Sequence, residues 1–183
     1  KEANPQEIGS ISNVTLGSGV TLGDNVTGGA GLTGRYFFVY KSGNSNQTIS
    51  ANVVTQVTFG GIIQSHSAVS GNNFTATADD VGNWFFKGRI GFYSGANNLN
   101  SSNTKIYKNS TIIASGYWDS YHNSDPVDSL PRHLQVETNA IITIAEGDVI
   151  TMKGSTGGST LFMFAGSGDS MAHLSTSLTG IKL

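Results

Sequence analysis

The sequence has no cysteine and only three prolines among its 183 residues, and charged residues make up 12% of it. Without cysteine there is no disulfide and no thiol nucleophile. No apolar run approaches the length that spans a bilayer. No window of a dozen residues repeats apolar positions at helical spacing. We therefore expect a protein poor in helix, with no membrane as a partner.

Excess positive charge is also missing. The formal net charge is −2, and the ten lysines and arginines form no run in the sequence. A nucleic-acid binder needs clustered cations to displace the counterions of the phosphates. The sequence therefore excludes nucleic acid as an expected partner.

The sequence does have 24 glycines and many short runs of Val, Ile, Thr, Phe and Tyr. Stretches of Gly, Asn, Ser and Asp separate these runs, which is the pattern of strands and turns. Such spacing predicts one all-β sandwich of about ten strands. The predicted strands are residues 35–42, 53–59, 73–78, 83–95, 104–108, 111–118, 134–144, 149–153, 159–166 and 173–183.

Residues 1–33 contain no aromatic residue and nearly repeat one six-residue phrase, VTLGSG then VTLGDN. The phrase lacks the Gly-Lys-Ser/Thr ending of a phosphate-binding loop, and two repeats are too few for a β-solenoid. We interpret residues 1–33 as an extended arm and residues 34–183 as the folded head. Alternating apolar side chains would let the arm add to a sheet edge of another protein. The candidate anchors are Val14, Leu16, Val20, Leu22 and Val26.

Three predicted strands, residues 36–40, 84–93 and 161–164, are apolar on both faces. A sandwich buries only one face of each strand, so the second face needs another partner. The simplest partner is a second copy of the chain; the alternative is a thick core closed by loops. The candidate interface residues are Tyr36, Phe38, Tyr40, Phe85, Tyr93, Phe162 and Phe164.

No arrangement of residues predicts catalysis or a cofactor. There is no Gly-x-Ser-x-Gly elbow, and the four histidines lack the spacing of metal ligands. His173 lies near Asp169 in the sequence, with serines close by. Because serine is frequent in this chain, such a Ser/His/Asp combination arises easily by chance, and we do not interpret it as a catalytic triad. Asp119, Asp125 and Asp128 lie in a long polar segment, where their carboxylate oxygens could bind a hard cation. A solvated loop is the preferred interpretation, and we predict no metal and no enzyme.

Five phrases occur in an order that resembles the signature of the C1q/TNF-like superfamily. They are Val57-Thr58-Phe59; Phe74, Thr75 and Gly82, with Trp84 where tyrosine is usual; residues 106–110, with Ser110 in place of glycine; Ile144 with Gly147-Asp148-Val149; and Gly180 in the last strand. The resemblance covers about residues 34–183. It implies a ten-stranded jelly-roll β-sandwich that associates as a homotrimer.

With its low content of charged residues and its many Asn, Ser, Thr and Gly residues, the sequence resembles the C1q-like modules of bacteriophage structural proteins. This resemblance implies a trimeric capsid decoration or cement protein on the virion surface, anchored to a major capsid or tail protein through residues 1–33. The alternative is a receptor- or glycan-binding tip of a tail fibre, with host adhesion as its role. Its contact loop would be residues 116–126, through Tyr117, Trp118, Asp119, Tyr121 and Asn123, unless these aromatic rings pack beneath the loop.

Overall fold

The computed structural model describes residues 36–42, 46–64, 66–96, 98–119, 130–163 and 175–183. These residues form thirteen strands and one short 3-10 helix, Ala78–Asp80. None of these described elements is a helix long and apolar enough to cross a membrane. The strands are β1 Tyr36–Tyr40, β2 Gln47–Ile49, β3 Thr55–Gln56, β4 Gly61–Gln64, β5 Val69–Ser70, β6 Asn73–Thr75, β7 Gly82–Ser94, β8 Ser101–Lys108, β9 Thr111–Asp119, β10 His133–Ile144, β11 Val149–Thr156, β12 Leu161–Met163 and β13 Ser177–Lys182.

The strands form two antiparallel sheets. In the seven-stranded sheet, β7 pairs with β10 along one edge and with both β12 and β13 along the other. Beyond β12 lies β2, and beyond β13 lie β1 and then β4. The six-stranded sheet runs β5-β6-β11-β8-β9, with β3 also paired to β11. Chain neighbours such as β7 and β8 belong to different sheets. The chain therefore crosses repeatedly between two layers, as in a jelly roll, and the predicted all-β jelly-roll fold is confirmed.

An aromatic cluster holds the two sheets together. The ring of Phe74, from β6, lies 5.3 Å from that of Phe37 in β1 and 4.9 Å from that of Trp84 in β7. Trp84 stacks on Phe86 at 5.7 Å, and all four side chains are buried. Such ring pairs add roughly 0.5–1.5 kcal/mol each to the energy of burying their area.

The predicted strands at residues 104–108 and 111–118 form a hairpin, whereas those at residues 134–144 and 149–153 are joined by a turn that leads from one sheet to the other. The turn between β8 and β9 falls at Asn109 and Ser110, whose φ angles are 49° and 72°. Two residues with positive φ give the primed turn that matches the twist of paired strands. The turn between β10 and β11 contains Gly147, whose φ is 81°. The sequence predicted these turns because their chemistry is local.

The predicted strand at residues 53–59 is mostly wrong, since only Thr55–Gln56 is a strand. A continuous strand would place Val53 and Val57 on one face, yet Val53 is exposed and Val57 is buried. Asn52 has a φ of 60°, and the amide of Val53 donates to the carbonyl of Ser50. A turn therefore occupies the start of the predicted strand.

Asp148 joins the two confirmed turns. Its carboxylate accepts hydrogen bonds from Asn109 Nδ2 at 2.5 Å and from the amide of Ala145 at 2.7 Å, and lies 2.7 Å from Lys108 Nζ. The hydrogen bond from Lys108, followed by that from the Ala145 amide, holds the pKa of Asp148 below its ordinary 3.8. An aspartate in a turn commonly accepts a hydrogen bond from the nearby backbone, and Asp148 does so.

We expect Asp148→Asn to cost roughly 1–2 kcal/mol of stability at neutral pH, because charge-assisted hydrogen bonds are lost. Since the folded-state pKa is depressed, the contribution of Asp148 is present above the unfolded-state pKa and is lost as pH falls through the lower folded-state value. Urea unfolding from pH 7 down to pH 3 measures this. The difference between wild type and variant should shrink below about pH 4; a constant difference would contradict the assignment.

Candidate self-association surface

Alternation along β1 turns three aromatic side chains away from the core. Phe37 and Val39 are buried between the sheets. Tyr36, Phe38 and Tyr40 point to the opposite face, because successive side chains of a strand alternate. We call the face of the seven-stranded sheet that points away from the core the outer face.

The other predicted interface residues lie on the same outer face. Phe85 and Tyr93 alternate with buried residues of β7, and Phe162 lies between two buried residues of β12. The structure thus places six of the seven candidates together on one surface. Phe164 is outside the described residues, and self-association itself stays a prediction.

An apolar row crosses this face. The strand register places Ile141 of β10 beside Phe85, Phe85 beside Ile181 of β13, and Ile181 beside Tyr36. Ile141 is 68% exposed, Ile181 41% and Tyr36 39%. Four adjacent apolar side chains in water form a continuous patch that an apolar partner would stabilise.

Charges occupy the middle of the face. Lys87 Nζ lies 3.0 Å from Glu137 Oε2, and Arg89 pairs with Oε1 of the same carboxylate. Partial burial acts to raise the pKa of Glu137, but the hydrogen bonds from Lys87 and Arg89 outweigh it and hold that pKa below its ordinary value. Among the described residues, two cations therefore share the carboxylate of Glu137 at the centre of the face.

Aromatic rings form a second cluster at the far end of the face. The ring of Tyr93 lies 4.7 Å from that of His133 and 5.8 Å from that of Phe162. The guanidinium of Arg132 lies 5.0 Å from the Tyr93 ring centre, and its Nε donates to the Tyr93 hydroxyl at 3.2 Å. Burial, then the charge of Arg132, lowers the pKa of His133. Neutral His133 therefore adds a flat, uncharged ring at neutral pH.

Taken together, the outer face offers an apolar row, a central charge cluster and a ring cluster. Sequence reasoning found the aromatic members through their period of two. It missed Ile141 and Ile181, and it missed the pairing of Glu137 with both cations. Those neighbours depend on the register between distant strands, although exposed alternation in residues 133–144 is a signal that would have placed Ile141.

The predicted ligand loop is described only in part. Tyr117 is 63% exposed, and its hydroxyl donates to Asp119 Oδ2 at 2.9 Å. Trp118 is partly buried and packs against the hydrophobic core. Tyr121 and Asn123 lie outside the described residues, as do the arm candidates Val14, Leu16, Val20, Leu22 and Val26. The division into arm and head stays a prediction.

One buried polar cluster resembles catalytic machinery in composition but not in geometry. His66 Nε2 lies 3.1 Å from Asp80 Oδ1, and both side chains are buried. His66 Nδ1 accepts the amide hydrogen of Ala68 at 3.1 Å, so neither ring nitrogen is free to take a proton from a nucleophile. Asp80 also accepts from Thr77. Within the described ranges, no three side chains of the metal-ligating types cluster around one point.

Comparisons with known proteins identify the fold. Neither a scan against protein-family models nor a search of curated protein sequences finds a match. Solved structures do match. The globular domain of zebrafish complement 1qA protein is 13% identical, with a TM-score of 0.53, over 81% of this chain and 97% of that one.

Two further structures agree. Murine APRIL at pH 8.0 is 12% identical, with a TM-score of 0.55, over 81% of this chain and 98% of its own. The Eiger TNF of S. frugiperda is 10% identical, with a TM-score of 0.55, over 81% of this chain and 91% of its own. At such low identity the likeness concerns the fold alone. The chain has the C1q/TNF-like jelly-roll fold.

Proposed function

We propose that this chain forms a homotrimeric, non-enzymatic head whose copies associate through the outer face of the seven-stranded sheet. The observation that carries the proposal is the apolar row Ile141, Phe85, Ile181 and Tyr36. Apolar burial contributes about 25 cal/mol per Å². A stable interface buries about 800 Å² on each partner, and the row and the ring cluster supply two apolar areas for one, on either side of the central charges.

The biological role that we propose is structural. The head would decorate or cement a bacteriophage capsid on the virion surface, with residues 1–33 as the anchor on a major capsid or tail protein. The proposal is supported by the composition of the sequence, which is low in charge and rich in Asn, Ser, Thr and Gly, and by the alternating apolar residues of the arm. In a trimer, three weak anchors act together by avidity, so each arm needs only modest affinity.

A second candidate function is the tip of a phage tail fibre that binds a host glycan. The exposed ring of Tyr117, next to Asp119, favours it, since aromatic faces and carboxylates bind sugar faces and hydroxyls. A glycan array carrying host surface polymers tests this function. Absence of binding would count against it, and release of reducing sugar would overturn the non-enzymatic part of the proposal.

The first test is the mass in solution by light scattering, for the full chain and for a version that starts at Gly34. We expect both to have about three times the mass of the chain, which is 19.1 kDa for the full sequence. That result leaves the arm free to act as an anchor. A monomeric head with a trimeric full chain would make the arm the assembly element, and two monomers would overturn self-association.

A further inference from the structure

Two lysines face each other on the six-stranded sheet. Lys105 of β8 is directly opposite Lys153 of β11 in the strand register. Their neighbours Ile106 and Met152 are buried in the core, so both lysines point to the opposite face, where both are partly exposed. Side chains directly opposite on adjacent strands have Cβ atoms about 5 Å apart, and like charges there destabilise a sheet.

No carboxylate of the described residues compensates these charges. The ion pairs in this part of the chain use Asp80, Glu137 and Asp148, and none involves Lys105 or Lys153. The acid on β9, Asp119, lies four residues beyond the residue opposite Lys105, about 13 Å along the strand. The pair is therefore an unneutralised positive site.

The surroundings of the pair are polar, uncharged and aromatic. Lys153 lies between Lys105 and Gln56, and Ser115 is opposite Lys105 on β9. The Lys153 ammonium lies 4.6 Å from the ring centre of Tyr107, which holds it in place. A second tyrosine, Tyr117, is opposite Asn103, one row further along the same face.

We propose that this face binds an acidic polysaccharide, with a carboxylate or sulfate held between Lys105 and Lys153 and a neighbouring sugar ring on Tyr117. Amide and hydroxyl side chains with an exposed aromatic ring suit sugar hydroxyls and the apolar face of a sugar. Two cations are too few for the alternatives. Nucleic acid binding requires many phosphate contacts, and anionic membranes attract clusters of four to eight basic residues.

The site is separate from the outer face of the seven-stranded sheet, so it does not require self-association. Its failure and that of the trimer are therefore distinguishable, since solution mass reports only the trimer. In a trimer, three copies of the site would bind one polymer with increased avidity.

Calorimetric titration of the full chain with dextran sulfate, polygalacturonate and uncharged dextran tests the proposal. We expect binding to one or both acidic polymers, weakened by salt, and none to dextran. The sulfated and carboxylated polymers distinguish the anion. Lys105→Gln combined with Lys153→Gln should weaken binding by about tenfold or more, because both charge-assisted contacts are lost.

Single variants separate the contributions of the contacts, and Lys182→Gln is the matched control. Lys153→Gln should weaken binding several-fold, whereas Lys182→Gln, which removes the same charge from the other sheet, should leave it within about twofold. Tyr117→Ala should weaken polymer binding without changing the melting temperature. Equal losses for Lys153→Gln and Lys182→Gln would overturn the site, and equal affinity for single-stranded DNA would overturn the polysaccharide class.

Thermal unfolding provides a second readout that does not depend on calorimetric heat. The acidic polymer should raise the melting temperature of the wild type but not that of the double variant. Without polymer, Lys105→Gln alone should be at least as stable as the wild type, because it removes the repulsion between the lysines and leaves Lys153 against the Tyr107 ring. A destabilised Lys105→Gln variant would contradict the like-charge arrangement on which the proposal rests.

Discussion

Replacing Phe85 by glutamate is expected to convert the proposed trimer into monomers while leaving the sandwich folded. Phe85 lies at the centre of the apolar row, between Ile141 and Ile181 on the neighbouring strands. A carboxylate there would have to leave water on association and would replace the apolar contacts of the ring, which costs several kcal/mol for each copy. Light scattering should show the mass falling from about three chains to one.

The matched control is Ile112→Glu. Ile112 is 49% exposed on β9, in the other sheet, and the change introduces the same charge at an apolar surface position. Its mass should stay that of the wild type. Circular dichroism and urea unfolding should show that both variants are folded. If Phe85→Glu remains a trimer, the outer face is not the interface, and another surface must hold the copies together.

The faces of the long strands could be predicted because a strand records its orientation locally. In β7 one face carries Trp84, Phe86, Ile90 and Phe92, interrupted by Gly88, and the structure buries that set. The same alternation assigns Phe85 and Tyr93 to the opposite face from the sequence alone. The alternation of side chains between the two faces of a strand does not depend on which strand pairs with it, so it can be read from a single sequence.

The rows across the sheet could not be predicted in the same way. Phe85 is beside Ile141, 56 positions later, and Ile181, 96 positions later. Such pairings arise from the jelly-roll topology and from the exact register, and a shift of one residue would turn each side chain to the other face. The lysine pair at Lys105 and Lys153 was missed for the same reason.

Asp80 shows a different failure. Two adjacent aspartates such as Asp79 and Asp80 are typical of a solvated polar turn, but Asp80 is only 2% exposed, whereas Asp79 is exposed. The buried carboxylate depends on His66, whose position no local pattern indicated. A signal was present: Thr77 and Asp80 have the spacing of a capping box, which the structure forms at the 3-10 helix.

We therefore expect Asp80→Ala to be among the most destabilising single changes in the head, by about 3 kcal/mol or more. The change removes the acceptor for Thr77 N and Thr77 Oγ1, both at 2.8 Å, and leaves the Nε2 of buried His66 without its partner. It also loosens the turn whose carbonyl accepts from Trp84 Nε1 at 2.7 Å. Asp80 thus ties the polar turn to the aromatic core.

Asp79→Ala is the control, because it removes the neighbouring exposed carboxylate and the same charge, and surface changes usually stay within about 0.5 kcal/mol. Urea unfolding followed by tryptophan fluorescence measures both, since Trp84 reports on the core beside the cluster. A large loss for Asp80→Ala alone would show that the buried polar cluster stabilises the sandwich. Equal small losses would mean that water replaces the carboxylate, and His66 and Thr77 would then contribute nothing through it.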